Sequence, residues 1–314
     1  MKKEKIKLVI MYGGPGEEHE VSVNSGKNII ANIDLDKYEL RTIFVNKKGG
    51  WILDQKEKNL KNIFKAIKNS VVWSVIHGTY GEDGKLQKIL EGKKIKFVGT
   101  GSKASKVTMS KDATQKVLGN NKIRCPRSIV LKKYKEELGI DFPVIAKPDE
   151  GGSSFGLYKF ESKKEYNKKI KTILKKYSKV LVQEFVVGRE FTCGVIEIGK
   201  KVVALPVSEV VLTKTAMFDY EAKYTKGGCL EVTPAEIDEK LNEKIKDIAK
   251  KVHKLTGCKD LSRTDMIMNN KGELVVLEIN TAPGMTETSF IPAELAAAGL
   301  TMHKFVDILV KNNT

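Results

Sequence analysis

Two polar side chains lie two residues apart in an otherwise apolar stretch near the C-terminal end of the sequence. Glu278 and Asn280 belong to the segment LVVLEINTAPGMTETS, whose first half predicts a strand, so both side chains should point to one face. The preceding segment, DLSRTDMIMNNKGEL, predicts a partner strand with an Asn-Asn-Lys-Gly turn. If the loop between the strands holds an even number of residues, Arg263 and Asp265 share that face.

These four side chains would bring three oxygen ligands and one guanidinium together. Oxygen ligands of this kind suit Mg²⁺, which takes a few protein carboxylates and fills its other positions with water and phosphate oxygens. The alternative is an exposed hairpin whose polar side chains are solvated. The turn-rich segment that follows, residues 281–286, favours a site, because its backbone amides and the Ser289 hydroxyl could hold a carboxylate beside the metal.

A glycine-serine loop follows another predicted strand. The strand, residues 142–148, contains Lys147 near its end, and the loop Asp-Glu-Gly-Gly-Ser-Ser-Phe-Gly comes directly after it. Such a loop can lay backbone amides over phosphates. It matches neither the Walker pattern nor the dinucleotide fingerprint, so an ordinary hairpin turn is an equal alternative.

The elements that position these residues alternate between strand and helix, which indicates an α/β fold. A strand at residues 5–12 runs into a glycine turn and then a helix that reaches about Ile33, and this places Glu18 at the edge where such sheets bind ligands. A third strand precedes the polar loop that begins at His77. The first α/β domain closes near Gly101, and a later helix is predicted to open at Pro234 and end near Leu255.

Composition excludes several classes of protein. The 314 residues suffice for two or three domains. The start has no signal-peptide pattern and no stretch is long enough to span a membrane, so a cytoplasmic protein is expected. The four cysteines are widely spaced, which argues against zinc or disulfides. The net charge of +17 comes almost entirely from lysine, with only five arginines, so specific nucleic-acid binding is not expected.

Eight segments, in order, carry a resemblance to a known family: GGPGEEHEVSVNSG, HGTYGEDGKLQKILE, MSKDATQK, IAKPDEGGSSFG, VGREFT, FDYEAKYT, SRTD and LEINTAPGMTETS. On these residues the chain resembles the D-alanine:D-alanine ligases of the ATP-grasp superfamily, from Gly13 to about Gly299. The resemblance implies an N-terminal α/β domain over residues 1–101 and a two-part ATP-grasp fold, with a central domain over 102–182 and a catalytic domain over 183–314.

The resemblance also implies a reaction and its cofactors. In the family the carboxylate of one D-alanine attacks the γ-phosphate of ATP to form an acyl phosphate, and the amine of a second D-alanine displaces phosphate. The product supplies peptidoglycan precursor synthesis in the cytoplasm. Two Mg²⁺ ions would bridge the phosphates, and Mn²⁺ could substitute. A homodimer is left open, and neither nucleic acid nor a membrane is an expected partner.

Residue roles are carried over from the family motifs. Catalytic roles would fall to Glu18, Ser153, Tyr224 and Arg263, with Arg263 as the oxyanion binder and Tyr224 latching a lid at about residues 213–228 to Ser153 and Glu18. The substrate pocket would comprise His77, Lys223, Gly284 and Ser289. The ATP contacts would be Lys111, Lys147, Gln183, Glu184, Phe185 and Glu190. The metal ligands would be Asp265, Glu278 and Asn280.

The sequence departs from the family pattern at some positions and leaves alternatives open. Gln183 stands where many relatives carry an acidic residue, which bears on the adenine contact, and Pro15-Gly16 replaces a small hydroxyl in the first loop. A related ligase that uses D-serine, D-lactate or L-amino acids is one alternative, against which Lys223-Tyr224 favours selection of an amine. A non-enzymatic ATP-binding protein is the other, and would require a damaged metal triad or the loss of Arg263.

Overall fold

The computed structural model describes residues 4–152, 156–212 and 229–314, and these residues form three sheets with helices against them. The predicted α/β class is therefore confirmed. Ser153, Lys223 and Tyr224, together with the proposed lid segment, lie outside the described residues. None of the described helices is long and apolar enough to cross a membrane.

The first sheet has six strands in the order β4-β3-β2-β1-β5-β6. Its strands are β1 (Ile6–Gly13), β2 (Tyr38–Val45), β3 (Trp51–Leu53), β4 (Lys56–Glu57), β5 (Val71–Ser74) and β6 (Lys96–Val98). β1 runs parallel to both β2 and β5. Its residues 8–11 are all fully buried, because both faces of the parallel part of this sheet are covered.

Three helices accompany the first sheet: α1 (His19–Ala31), α2 (Leu60–Ile67) and α3 (Lys85–Gly92). The Asn59 side chain caps α2 by accepting a hydrogen bond from the Asn62 amide. The β3–β4 hairpin was not predicted, since three and two residues carry too little alternation to be recognised.

Two helices and an antiparallel sheet come next. The helices are α4 (Ser102–Met109) and α5 (Lys111–Asn120). The four strands are β7 (Ser128–Leu131), β8 (Val144–Pro148), β9 (Tyr158–Phe160) and β10 (Val180–Glu184), in the order β7-β10-β8-β9. α6 (Lys163–Lys176) buries Tyr166, Ile170 and Ile173 against this sheet, at the helical spacing seen in the sequence.

The third sheet is mainly antiparallel and carries the candidate metal hairpin. Its path is β14-β13-β11-β15-β16, with β12 paired to β11. The strands are β11 (Gly188–Ile198), β12 (Lys201–Ala204), β13 (Ser208–Leu212), β14 (Cys229–Val232), β15 (Leu261–Asn269) and β16 (Leu274–Asn280). Helices α7 (Glu239–Leu255), α8 (Phe290–Ala297) and α9 (Met302–Lys311) complete the described chain.

The start of α7 differs from the prediction that Pro234 opens this helix. Asp238 is the N-cap, and its side chain accepts a hydrogen bond from the Leu241 amide at 2.9 Å. The segment before it is irregular, and the Ala235 amide donates to the Val207 carbonyl at 2.7 Å instead of to a helical partner. Helix formation therefore begins only where a side chain can satisfy the first free amides.

The hydrophobic cores combine residues from segments that are distant in sequence. Leu118 of α5 packs with the third sheet rather than with the central one. β10 continues to Glu184, so the predicted boundary after residue 182 falls inside a strand. One face of the first sheet, including Leu8 and Ile10, packs in a single core with Phe305 of α9. Segments distant in sequence thus share one core.

A buried carboxylate reinforces the junction between the first sheet and the end of the chain. Asp260 is fully buried, and its Oδ2 accepts hydrogen bonds from the Gly99 amide at 2.8 Å and from Asn313 Nδ2 at 2.7 Å. Burial raises the pKa of Asp260, and these hydrogen bonds oppose the rise. Asp260 therefore links the loop after β6 to the segment that follows α9.

Candidate active site

A cleft that opens to solvent, with about 990 Å³ of space when its solvent-filled mouth is included, separates the central sheet from the third sheet. Ile145, Lys147 and Gln183 line it from β8 and β10, while Asp265 and Glu278 line it from β15 and β16. Nine of the predicted site residues line this cleft: Lys111, Lys147, Gln183, Glu184, Phe185, Glu190, Arg263, Asp265 and Glu278. A smaller neighbouring pocket of about 390 Å³ extends towards the first domain and adds Asn280.

A β-bulge brings the four residues of the metal hairpin to one face. Near the turn the ladder pairs Met268 with Leu274 and Met266 with Val276, and this register would place Asp265 opposite Leu277. The register shifts between Asp265 and Met266, so Asp265 pairs with Glu278 instead, and Arg263 pairs with Asn280. The predicted common face is confirmed, but the bulge produces it. Without the bulge, the register near the turn would place the Glu278 side chain on the opposite face of the sheet from Asp265.

Asp265 and Arg263 form the electrostatic centre of the cleft. Arg263 Nε and Nη2 donate to the two carboxylate oxygens of Asp265, both at 2.8 Å. Thr192 Oγ1 donates to Asp265 Oδ1 at 2.5 Å. Burial works against the charge on Arg263, but Asp265 outweighs it, so the pKa of Arg263 is raised. Arg263 therefore remains a fixed cation, and its guanidinium also lies over the Phe290 ring.

Glu294 is a functional candidate that the sequence reasoning missed. This fully buried carboxylate of α8 accepts hydrogen bonds from the Gly194 amide at 2.7 Å and from Ser208 Oγ at 3.1 Å. A Cβ at Gly194 would lie 2.5 Å from Glu294 Oε2, so only glycine leaves room for it. Burial raises the pKa of Glu294 to about 8, and the Arg263 charge opposes the rise. A single carboxylate in the apolar segment FIPAELAA was the available signal.

Asp265, Glu278 and Asn280 fit a magnesium site by the chemistry of their donors. Two carboxylates lie opposite each other on neighbouring strands. Asn280 Nδ2 donates to Asp265 Oδ2 at 3.0 Å, and the other amide atom, Oδ1, accepts no hydrogen bond from the described residues. No three histidine, cysteine or carboxylate side chains gather anywhere in the described chain, so a carboxamide would complete the ligand set.

Two lysines face this hairpin from the central sheet and α5. Lys147 is buried at the end of β8, and Lys111 Nζ donates to the Gly151 carbonyl at 2.8 Å. Asp149 fixes both elements, because its backbone carbonyl accepts from the Lys111 amide and its carboxylate accepts from Ser110 Oγ. Asp149 thus connects the end of β8 to the start of α5 and positions both lysines in the cleft.

The apolar part of the cleft contains the residues predicted to contact adenine. Gln183 and Phe185 line it, and Lys159 Nζ lies over the Phe185 ring, 4.0 Å from the ring centroid. Glu184 binds Arg127 through Oε2 at 2.9 Å, so its carboxylate is engaged away from the cleft floor. Glu190, from β11, also lines the cleft, where it was predicted to contact ribose.

The substrate side is built from the start of α1 and the loop after β5. Glu18 is the N-cap of α1, and a Cβ added to Gly78 or Gly152 would lie 2.5 or 2.6 Å from its Oε2. The carboxylate therefore lies between the first-domain loop and the glycine loop. His77 is held between Ser25 Oγ, at 3.0 Å from Nε2, and the Ala282 carbonyl, at 2.7 Å from Nδ1.

Glu82 is a second buried carboxylate that received no predicted role. Its Oε1 accepts from the Gly78 amide at 2.8 Å, and its Oε2 accepts from the Thr281 and Ala282 amides at 3.1 and 3.0 Å. Burial and then the negative charge of Glu18 raise the pKa of Glu82. Glu82 thereby fixes the loop after β16 to the first domain.

Gly284 and Ser289 lie together on that loop, as predicted. A Cβ at Gly284 would lie 2.7 Å from Ser289 Oγ, and Ser289 Oγ accepts from the Thr286 amide at 3.1 Å. The Met285 amide donates to Ser25 Oγ of α1 at 3.1 Å, which anchors the loop to the first domain. The structure therefore joins His77 to the loop that contains Gly284 and leads to Ser289, whereas Ser153, Lys223 and Tyr224 lie outside the described residues.

Comparison with family models gives two matches. The model described as D-ala D-ala ligase N-terminus matches residues 7–69, and the one described as D-ala D-ala ligase C-terminus matches residues 114–311. A D-alanine–D-alanine ligase of Thermotoga petrophila is 34% identical over 98% of this chain and 97% of that protein. The chain belongs to the D-alanine–D-alanine ligase family.

Solved structures of the family share its ATP-grasp fold with this chain. The VanG D-Ala:D-Ser ligase from Enterococcus faecalis superposes with a TM-score of 0.86 at 30% identity, over 99% of this chain and all of that one. The D-alanine–D-alanine ligase from Bacillus anthracis complexed with ATP gives a TM-score of 0.81 at 27% identity, over 98% and 97% of the two chains. The predicted ligase family and ATP-grasp fold are confirmed.

Proposed function

We propose that the chain joins two D-alanine molecules at the expense of ATP, through a D-alanyl phosphate, for peptidoglycan precursor synthesis. One observation carries the proposal within this family of ligases. Lys111 and Lys147 line the same cleft as Asp265 and Glu278, so cationic and metal-binding groups meet at one place. Phosphoryl transfer depends mainly on such positioning and charge neutralisation.

The protein's own cations would bind the triphosphate. Lys111 and Lys147 would contact phosphate oxygens, and the apolar side of the cleft would hold the base with Glu190 at the ribose. Asp265, Glu278 and Asn280 would hold two Mg²⁺ ions, with Mn²⁺ as a substitute. When bound, these ions would neutralise negative charge on the phosphate oxygens.

The first step places one D-alanine between Glu18 and the phosphates. Glu18 would bind the ammonium group of this D-alanine. A carboxylate oxygen of the same D-alanine would attack the γ-phosphorus while the bond to the ADP oxygen breaks. The second D-alanine would bind by its carboxylate at Ser289 and the Gly284 amide. Its free amine would attack the acyl carbon, phosphate would leave, and Arg263 would stabilise the oxyanion. The family roles of Ser153, Lys223 and Tyr224 remain part of this proposal.

A second candidate differs only in the nucleophile. The structural similarity to a D-Ala:D-Ser ligase, at 30% identity, favours testing D-serine as the second substrate. Both candidates share the first half-reaction, so the acceptor pocket decides between them. We propose a cytoplasmic location, where ATP and the free amino acids are available, and small molecules rather than nucleic acid or membrane as partners.

The test measures phosphate release with ATP and Mg²⁺ against a panel of D- and L-amino acids, D-serine and D-lactate, with products identified by mass. The expected result is D-alanyl-D-alanine as the main product, formed in proportion to the phosphate released. Phosphate release that does not depend on D-alanine, or a product that contains none, would contradict the proposal. A mixed dipeptide as the main product would favour the second candidate.

A further inference from the structure

The apolar part of the cleft contains a buried amide with an unusual environment. Gln183 is only 4% exposed, and the β8–β10 ladder pairs it directly with Ile145, another residue of the cleft lining. Its Oε1 is buried and has no hydrogen-bond partner among the described residues. A buried polar atom without a hydrogen bond is destabilising, so such atoms are usually completed by a ligand or by water.

A second amide lies behind the first. Gln183 pairs with Ser128 in the β7–β10 ladder, and Ser128 Oγ donates to Gln115 Oε1 at 2.5 Å. The Nε2 atom of Gln115 is also buried without a partner among the described residues. Ser128 is thus the cross-strand neighbour of Gln183 on the β7 side, as Ile145 is on the β8 side. Gln183, Ser128 and Gln115 can each act as a donor or as an acceptor.

The adjacent polar side chain cannot take the place of Gln183. Glu184 accepts from the Arg127 backbone amide and from its guanidinium, both at 2.9 Å, so both of its oxygens are already engaged by a residue that does not line the cleft. The other side chains of this part of the cleft, such as Leu157, Val210 and Ile267, are apolar. Gln183 is thus the side chain that can read the polar edge of a base held there.

We propose that Gln183 makes the base site accept both 6-amino and 6-oxo purines, so that the enzyme uses GTP and ITP as phosphoryl donors besides ATP. The inference rests on the proposed function and adds the class of nucleotide. Adenine presents an amino donor at position 6, whereas guanine and hypoxanthine present a carbonyl acceptor. A half-turn of the terminal amide exchanges its oxygen and nitrogen, and Ser128 and Gln115 can reverse their bond accordingly.

A carboxylate at this position would behave differently. It can only accept hydrogen bonds when ionised, so it suits the 6-amino group and repels a 6-oxo group. A site that leaves a buried polar group unpaired discriminates strongly against the wrong ligand. The amide removes this penalty, and the structure predicts a weak preference among purines instead of a strict one.

The experiment compares ATP, ITP and GTP as donors for D-alanine ligation with Mg²⁺, together with the binding of ADP and IDP in the absence of D-alanine. For the unmodified protein, we expect kcat/KM with ITP to lie within roughly tenfold of the value with ATP. In Gln183→Glu the ratio of ITP to ATP should fall by about tenfold or more, and the ratio of IDP to ADP binding should fall with it. Gln183→Met, which offers neither donor nor acceptor, should weaken all three donors without restoring selectivity.

Two results would overturn the inference. One is a preference of more than about a thousandfold for ATP over ITP in the unmodified protein. The other is an unchanged ITP-to-ATP ratio in Gln183→Glu. The comparison of ADP and IDP binding measures base selectivity even if the ligated product differs from the one proposed. The absence of any D-alanine-dependent product with ATP would refute the proposed function alone. If Gln183→Glu does not fold, the Gln183→Met variant decides. Strong selectivity between ATP and ITP in that variant would show that the Gln183 amide does not determine the choice of base.

Discussion

Glu278 lies opposite Asp265 across the β15–β16 ladder, and its carboxylate is expected to supply negative charge that an amide cannot. Glu278→Gln should therefore reduce turnover to less than about a tenth of the unmodified rate while the fold is retained. Steady-state phosphate release and circular dichroism would measure both effects. Glu273→Gln is the matched control, because Glu273 lies on the same hairpin but pairs with Arg124 outside the cleft, and it should leave turnover unchanged. Equal rates in both variants would place the metal elsewhere.

The raised pKa of Glu294 predicts that its contribution to the free energy of unfolding decreases with increasing pH. Burial raises its pKa from 4.5 to about 8 in the folded protein, so between these values the folded state holds a proton that the unfolded state has lost. Its contribution to the free energy of unfolding therefore falls as pH rises from about 4.5 to 8. Glutamine stays neutral, so Glu294→Gln should gain stability relative to the unmodified protein on going from pH 5 to pH 8. Thermal unfolding of the metal-free proteins at both values tests this, and a pH-independent difference would count against it.

Individual residues show where sequence reasoning succeeds. Arg263, Asp265 and Glu278 could be found because polar side chains recur every second residue in apolar strands. Glu82 and Glu294 were missed because their significance comes from partners distant in sequence, such as the Thr281 amide and Gly194. Such pairings depend on the packing of helices and loops, which periodicity does not reveal.

At the scale of elements, the N-cap of α7 gives a stability prediction. Asp238→Ala removes the side chain that accepts from the Leu241 amide, and this should lower the free energy of unfolding by about 1 kcal/mol. Glu236→Ala is the control, since this exposed carboxylate lies two residues before the cap and should change stability by less than about 0.5 kcal/mol. Urea denaturation would compare the two. A larger loss for Glu236→Ala would mean that the helix begins earlier than Glu239.

Strand and helix positions followed from periodicity, but the bulge in β16 did not. The pattern of apolar residues in LVVLEIN contains no feature that identifies Leu277 as the extra residue. Sequence alone could state that Asp265 and Glu278 share a face only on a condition about the loop. Register depends on how both faces pack, and Val276 must enter the core while Leu277 and Glu278 both line the cleft. Three-dimensional packing therefore decides what the loop length left open.

At the scale of the whole molecule, the charge of +17 predicts a weak and unselective attraction to polyanions. Because lysine supplies most of the positive charge, duplex DNA should bind with an affinity that collapses as salt rises, and without sequence preference. Fluorescence anisotropy with two unrelated duplexes at low and physiological salt would measure this. Sub-micromolar binding to one duplex only, at physiological salt, would contradict it.

The core in which each helix packs was the least predictable property of the whole chain. The segment that holds α4 and α5 follows the first domain in sequence, yet Leu118 packs with α7 and the third sheet. The linker composition shows no boundary there, because the same apolar residues serve whichever core they reach. Sequence order therefore identified the three sheets but not the distribution of helices among their cores.

The core that joins β1 to α9 also constrains how the chain is made. Leu8 and Ile10 leave the ribosome long before their packing partners Phe305 and Leu309. Until then, one face of the first sheet stays exposed to water and to other nascent chains. The N-terminal third of this protein should therefore wait for the end of translation before it gains its final stability, and a chaperone that shields apolar surface would act on it during that interval.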